Sequence, residues 1–345
     1  FDGEFSGAGN LDKKAAGSLT LTAAQSFSGS LNVTAGAVIT QGSATFSDQL
    51  DVVVGSSGSL ILGVADTLGT LQSSGTLTIN QNQSVSSADV LGGVTTLNAN
   101  LTTSAVSDTL NVRAPGALRV ADGIAMDLGG GLSGDGSIAL DDDAEITLGS
   151  GTISTFNGTI SEAVASPDST LTISGGGELR LARLDPAGTN KLVTIDKIDI
   201  QNGRLGLDGS QLLNDSITVN LAVNGDLELI NAADGQARYE DIDTLTGSGE
   251  IYLNSNTLNI HDGGSFEGSF YGNGSVNVSD GAFTINNSLS STDGGLQVSS
   301  DEGTTVAAGT TIDVKRVDVN ANSRLNVSGA GGANQQSVVR STDFV

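Results

Sequence analysis

The chain has no cysteine, no tryptophan, one methionine, one histidine and three prolines, and only 3% of its residues are aromatic. Without cysteine it can build neither a disulfide framework nor a thiolate zinc site, and it has no thiol nucleophile. Such an absence suits a chain that crosses an oxidising periplasm unfolded, where a premature cross-link would block passage. The single histidine, His261, leaves any serine triad one candidate base and excludes a histidine-rich metal site. Its neighbours form no nucleophile elbow, so it reads as a surface or turn residue. No run approaches the roughly 18 apolar residues of a membrane-spanning helix, and Phe1 does not open a charged-then-apolar leader. We therefore expect a soluble region from which any export signal has been removed, with no membrane insertion.

Basic residues are also scarce. Fourteen Lys and Arg stand against 39 Asp and Glu, a formal charge of -25. That field repels phosphate backbones and anionic headgroups, so nucleic acid is not an expected partner. With 37% hydrophobic residues and so few aromatics, the interior of this 345-residue chain has to be filled by Leu, Val and Ile. Regular aliphatic spacing separates it from disordered sequences, which bury too little apolar surface to offset ordering entropy.

What is present is one short phrase, repeated from end to end. A Gly or polar turn precedes two aliphatic residues separated by a single, usually polar, residue. Examples are Gly17-Ser-Leu19-Thr-Leu21, Gly58-Ser-Leu60-Ile-Leu62, Gly75-Thr-Leu77-Thr-Ile79, Gly136-Ser-Ile138-Ala-Leu140, Gly225-Asp-Leu227-Glu-Leu229, Gly249-Glu-Ile251-Tyr-Leu253 and Ser323-Arg-Leu325-Asn-Val327. The period of two makes each phrase a short strand with one buried face. Helical spacing is almost absent, and Gly recurs too often for helix interiors. The repetition is too long and too uniform for a sandwich or barrel. It predicts an all-β, right-handed parallel β-helix, a β-solenoid in which each coil buries the aliphatic face of the next. Coils of about 20 residues would give roughly 16 or 17 turns and a rod of about 80 Å at roughly 4.8 Å per coil. We expect residues 1–345 to form one continuous elongated rod, interrupted by loops near 161–169 with Pro167, 182–191 with Pro186, and 231–247. Both ends lie within the rhythm, so a fragment of a longer protein is expected.

Residues near the N-terminus carry a more specific signature: Gly9-Asn-Leu11-Asp-Lys13, Gly17-Ser-Leu19-Thr-Leu21-Thr, Phe27-Ser-Gly29 and Val33-Thr-Ala35-Gly36-Ala-Val38. Over about thirty residues this resembles the passenger-associated repeat of bacterial autotransporters. It departs at Ala15 and Ala23, where the family usually has Gly, at Gln25 in place of Asn, and at Ser30 in place of a second Gly. Weaker echoes occur at Phe156-Asn-Gly158 and Phe266-Glu-Gly268. The resemblance implies an extracellular location on the surface of a Gram-negative bacterium, type V secretion through a separate outer-membrane barrel, and a role as an adhesin in attachment, aggregation or biofilm formation. The implied partners are a glycan or protein of a host or neighbouring cell, or another copy of the chain.

Chemical candidates are few. The run Asp141-Asp142-Asp143 is the one acidic cluster dense enough to suggest the paired carboxylates of a polysaccharide hydrolase or lyase, or a weak calcium site. The other signatures of a polygalacturonase-like site and the nonapeptides of calcium β-rolls are missing, so a solvated turn is the simpler reading. We expect no enzyme activity, no metal and no cofactor. The three tyrosines, Tyr239, Tyr252 and Tyr271, all lie within 33 residues. Alternation turns Tyr252 outward, and Tyr271 follows about one coil later. These two, with Arg238 and Tyr239 on the loop before them, form the candidate contact surface for a glycan or protein. A polysaccharide-active enzyme and a fibre segment stacking end to end are the alternatives.

Overall fold

A computed structural model describes all residues except 104, 164–168, 184–189, 232–234, 329–336 and 342, together with the side chains of 290–292, 343 and 344. Every described regular element is a β-strand, and the described strands pair in parallel. Within each of two units the strands stack as a β-solenoid, with about 14 turns in all. The chain divides into two compact units, Phe1–Leu179 and Arg180–Val345.

In the first unit, parallel register builds three sheets. One stacks 11–13 on 31–33, 52–54, 71–73, 88–90 and 110–112. A second runs from Ser18–Leu21 through 37–40, 59–62, Thr76–Ile79, Val94–Leu97, Ala117–Val120 and Ser137–Leu140 to Thr159–Glu162. The third stacks 66–68, 83–85, Leu101–Thr103, 126–128 and 146–148. Period-two alternation turns Leu60, Leu77, Thr95, Leu118 and Ile138 inward, one above another, and all are buried. Each buried leucine contributes about 2 kcal/mol of transfer free energy.

The second unit repeats the plan. Its first sheet stacks 197–200, 218–221, Thr244–Gly247, Gly264–Phe266, Phe283–Ile285, Thr304–Val306 and Leu325–Val327. Its second stacks 203–207, 225–229, Glu250–Asn254, Ser269–Gly272, 289–291 and 312–314. Its third begins at Tyr239–Ile242 and continues through Thr257–Ile260, Ser275–Val278, 295–298 and 316–319. The two strands Tyr239–Ile242 and Thr244–Gly247 fall inside the loop expected at 231–247, so the loop there is shorter than its polar composition suggests. The other two expected loops have Pro167 and Pro186 outside the described residues.

Two further differences have physical causes. Coil length is not constant: Leu60 lies opposite Leu77 and Ile312 opposite Val339, offsets of 17 and 27 residues. Corners absorb the variation while sheet register is kept, which lowers the turn count below that of a uniform 20-residue coil. The repeated Gly is also used differently from an ordinary turn glycine. At Gly249, an added Cβ would sit 1.9 Å from the carbonyl oxygen of Gly225, and at Gly268 it would sit 1.8 Å from that of Gly249. Gly136 and Gly158 repeat this contact in the first unit, at 1.9 Å. None of these four glycines has positive φ. At these positions the phrase needs Gly because successive coils bring backbone onto backbone at that corner, whereas Gly17 has an open surround and a φ of 94°.

Among the aliphatic pairs named in the sequence, Leu19 and Leu325 are half-buried and Val327 is exposed, whereas the rest are buried. Among the described residues, the strands carrying these three are register-paired on one side only.

Candidate functional site

Outward residues of the second sheet in the second unit make a polar and aromatic array. Register places Arg204, Asp226, Glu250 and Ser269 in one column. Glu228, Tyr252 and Tyr271 form a parallel column two residues along the strands. Tyr252 and Tyr271 stack as the alternation predicted, with ring centroids 5.4 Å apart and planes inclined by 25°. On Tyr252 lies the Arg204 guanidinium, 4.7 Å from the ring centroid. That guanidinium also pairs with Asp226 at 3.2 Å and with Glu228 at 2.8 Å. Both tyrosine hydroxyls donate to Glu250, that of Tyr271 at 3.4 Å. The bond to Glu250, helped by partial burial, pushes the Tyr252 phenol up to about 12. Burial raises the Asp226 carboxyl against the lowering effect of Arg204. A bulge follows Tyr252, and Asn254 there adopts φ of 53° and donates to Glu228.

Tyr239 and Arg238 are not part of this stack. Tyr239 begins the third sheet, in register with Thr257, and is 49% exposed. The Arg238 guanidinium is held by Asp208, the last residue of the strand Lys197–Asp208. The expected surface is thus split between the stacked pair and a residue pair at the corner leading to the third sheet. Arg204, Asp226, Glu228 and Glu250 were missed as site residues. They are the x positions of Gly-x-Leu-x-Leu phrases, and writing those phrases one below another would have aligned them.

On the third sheet, Asn259 donates to Asp241 and Asn277 donates to Asn259 at 2.8 Å, a ladder rising one rung per coil. His261 lies beside it, with Nδ1 2.9 Å from the Ser279 hydroxyl and Nε2 3.7 Å from Asp241. Further along, an open cleft of about 330 Å³ is lined by Ser275, Asn277, Asp293, Gln297, Lys315 and Arg316. Its charges are matched within the protein, Lys315 to Asp293 at 3.6 Å and Arg316 to Asp318 at 2.6 Å.

Glu240 points inward from Tyr239–Ile242 and is only 1% exposed. Its two oxygens accept the backbone N–H groups of Leu212 and Leu213, at 2.9 and 2.6 Å. Burial pushes this carboxyl up to about 7 in spite of those bonds and of Lys191.

The acidic run Asp141-Asp142-Asp143 follows the strand Ser137–Leu140 as a turn. Asp141 accepts from Arg119 at 2.6 Å, and Asp143 from the backbone of Thr170 at 3.1 Å. Among the described residues no group of three His, Cys, Asp or Glu side chains is placed to hold a metal ion, and no helix is long and apolar enough to cross a membrane. Comparison with protein-family models, curated proteins and solved structures finds no match to this chain.

Proposed function

We propose that this chain is an adhesive, non-catalytic segment of a bacterial cell-surface protein, exported by the autotransporter route. Its work is to hold contact residues in fixed places on a stiff scaffold and to bind through repeated weak contacts. The observation that carries this reading is the outward column of Arg204, Tyr252 and Tyr271 around Glu250. Aromatic rings held by stacking and by hydroxyl bonds lose little entropy when a partner docks. Tyr271 keeps 43% of its surface exposed and Tyr239 keeps 49%, so both have surface to offer a partner. Support for the surface location comes from the N-terminal motif and the cysteine-free, acidic composition. The acidic run at 141–143 favours no catalytic reading, since two of its carboxylates are engaged in coil-to-coil bonds.

The test is attachment and aggregation of cells or beads displaying the chain, with and without Tyr239→Ala, Tyr252→Ala and Tyr271→Ala together. The combined variant is expected to lose most of the attachment while keeping its circular dichroism. Unchanged attachment, or release of new reducing ends or unsaturated products from a glycan panel, would contradict the proposal.

A further inference from the structure

The exposed part of Tyr271 has a definite chemical preference. One face of the Tyr271 ring lies on Tyr252, while 43% of the residue remains exposed. The protein itself shows what this type of face accepts, because the Arg204 guanidinium covers Tyr252 at 4.7 Å. A planar cation over an aromatic ring is attracted by the ring quadrupole. Around the stack stand three carboxylates, Asp226, Glu228 and Glu250, and one guanidinium, that of Arg204. Arg204 reaches Asp226 and Glu228. Among the described residues, Glu250 has no Lys or Arg within ion-pair distance, and its partners are the hydroxyls of Tyr252 and Tyr271. The array therefore sets a partly exposed tyrosine ring beside a carboxylate that no Lys or Arg among the described residues neutralises. At -25, the chain as a whole attracts a basic partner and repels a second copy of itself.

Resting on the contact-surface reading above, we propose that the Tyr271–Glu250 edge binds an arginine side chain of a basic partner protein, its guanidinium stacked on Tyr271 and hydrogen-bonded to Glu250. The bound arginine would repeat on Tyr271 what Arg204 does on Tyr252. Lysine would be accepted less well, because a compact ammonium neither stacks as a plane nor donates in a fork.

The probe is a hexa-arginine peptide titrated into the full chain and followed by tyrosine fluorescence and calorimetry; with no tryptophan present, the emission comes from the three tyrosines. Hexa-lysine serves as the charge-matched control, and hexa-glutamate as the opposite one. Hexa-arginine should bind tighter than hexa-lysine, and Tyr271→Ala or Glu250→Gln should each weaken it by about tenfold. Tyr271→Phe keeps the ring and should retain most of the affinity, which separates stacking from a folding defect. Equal affinity for the two basic peptides, or hexa-arginine binding untouched by Tyr271→Ala, would overturn the inference and leave only attraction by net charge. If the triple tyrosine variant loses attachment while hexa-arginine binding ignores Tyr271→Ala, the surface is adhesive but does not read arginine. If Tyr271→Ala weakens peptide binding while attachment persists, the arginine site stands and adhesion lies elsewhere.

Discussion

A carboxylate inside an aliphatic interior is unfavourable unless hydrogen bonds replace its water, and Glu240 receives two from the backbone of Leu212 and Leu213. The bonds do not offset burial fully, since the carboxyl is pushed from 4.5 to about 7. Between those values the folded chain keeps a proton that the unfolded chain has released, so stability falls as pH rises through that window. The contribution is fully present below about pH 4.5 and is lost above about pH 7. Thermal melting of the wild type should therefore drop between pH 5 and pH 8 by more than that of Glu240→Gln. The glutamine variant should itself cost about 1–2 kcal/mol at pH 5, because its amide NH2 would face a backbone N–H where the protonated carboxyl offers an oxygen. Parallel melting curves for the two chains across this range would show that Glu240 does not titrate inside.

At the scale of the strand and its corner, the glycine phrase can be tested by one methyl group. Gly249→Ala drives a Cβ into the Gly225 carbonyl, a backbone atom that cannot rotate away, so it should cost about 2 kcal/mol or more in denaturant unfolding. Gly9→Ala, with nothing within 4 Å and no positive φ, should stay within about 0.5 kcal/mol of wild type. Equal effects would mean that the phrase needs Gly for some reason other than the approach of neighbouring coils. The strands themselves were legible, because a one-sided strand writes its burial as a period of two, and Leu227, Ile251 and Val276 are inward as that period requires. The stacked Tyr252 and Tyr271 were legible for the same reason, nineteen residues apart being about one coil. Coil number was not, since corners of unequal length change the period without disturbing register. Nor was the split of Tyr239 from the other tyrosines: the strand Tyr239–Ile242 carries a polar inward residue, Glu240, which hides it inside a stretch that reads as loop. Gln25 behaves similarly. It stands where the resembled repeat has Asn, yet it is buried and bonded to the backbone of Gly3, Phe5 and Ala23.

For the molecule as a whole, the proposed adhesion and the proposed arginine contact both require that each coil of a unit lie in parallel register on the one before it. Only then do residues some twenty positions apart become neighbours, and only then do Arg204, Glu250, Tyr252 and Tyr271 converge. The cysteine-free sequence allows this to be measured directly by oxidising the double variant Tyr252→Cys, Tyr271→Cys and mapping its peptides by mass spectrometry. Register partners on adjacent parallel strands lie about 4.8 Å apart, within the Cα separation of about 4.4–6.8 Å that a disulfide spans. The predicted result is an intrachain bond between positions 252 and 271 in the folded protein, with none in the control pair Tyr252→Cys, Phe270→Cys, whose second side chain points inward. Free thiols in the first pair, or bonds formed only between molecules, would contradict the stacked coil.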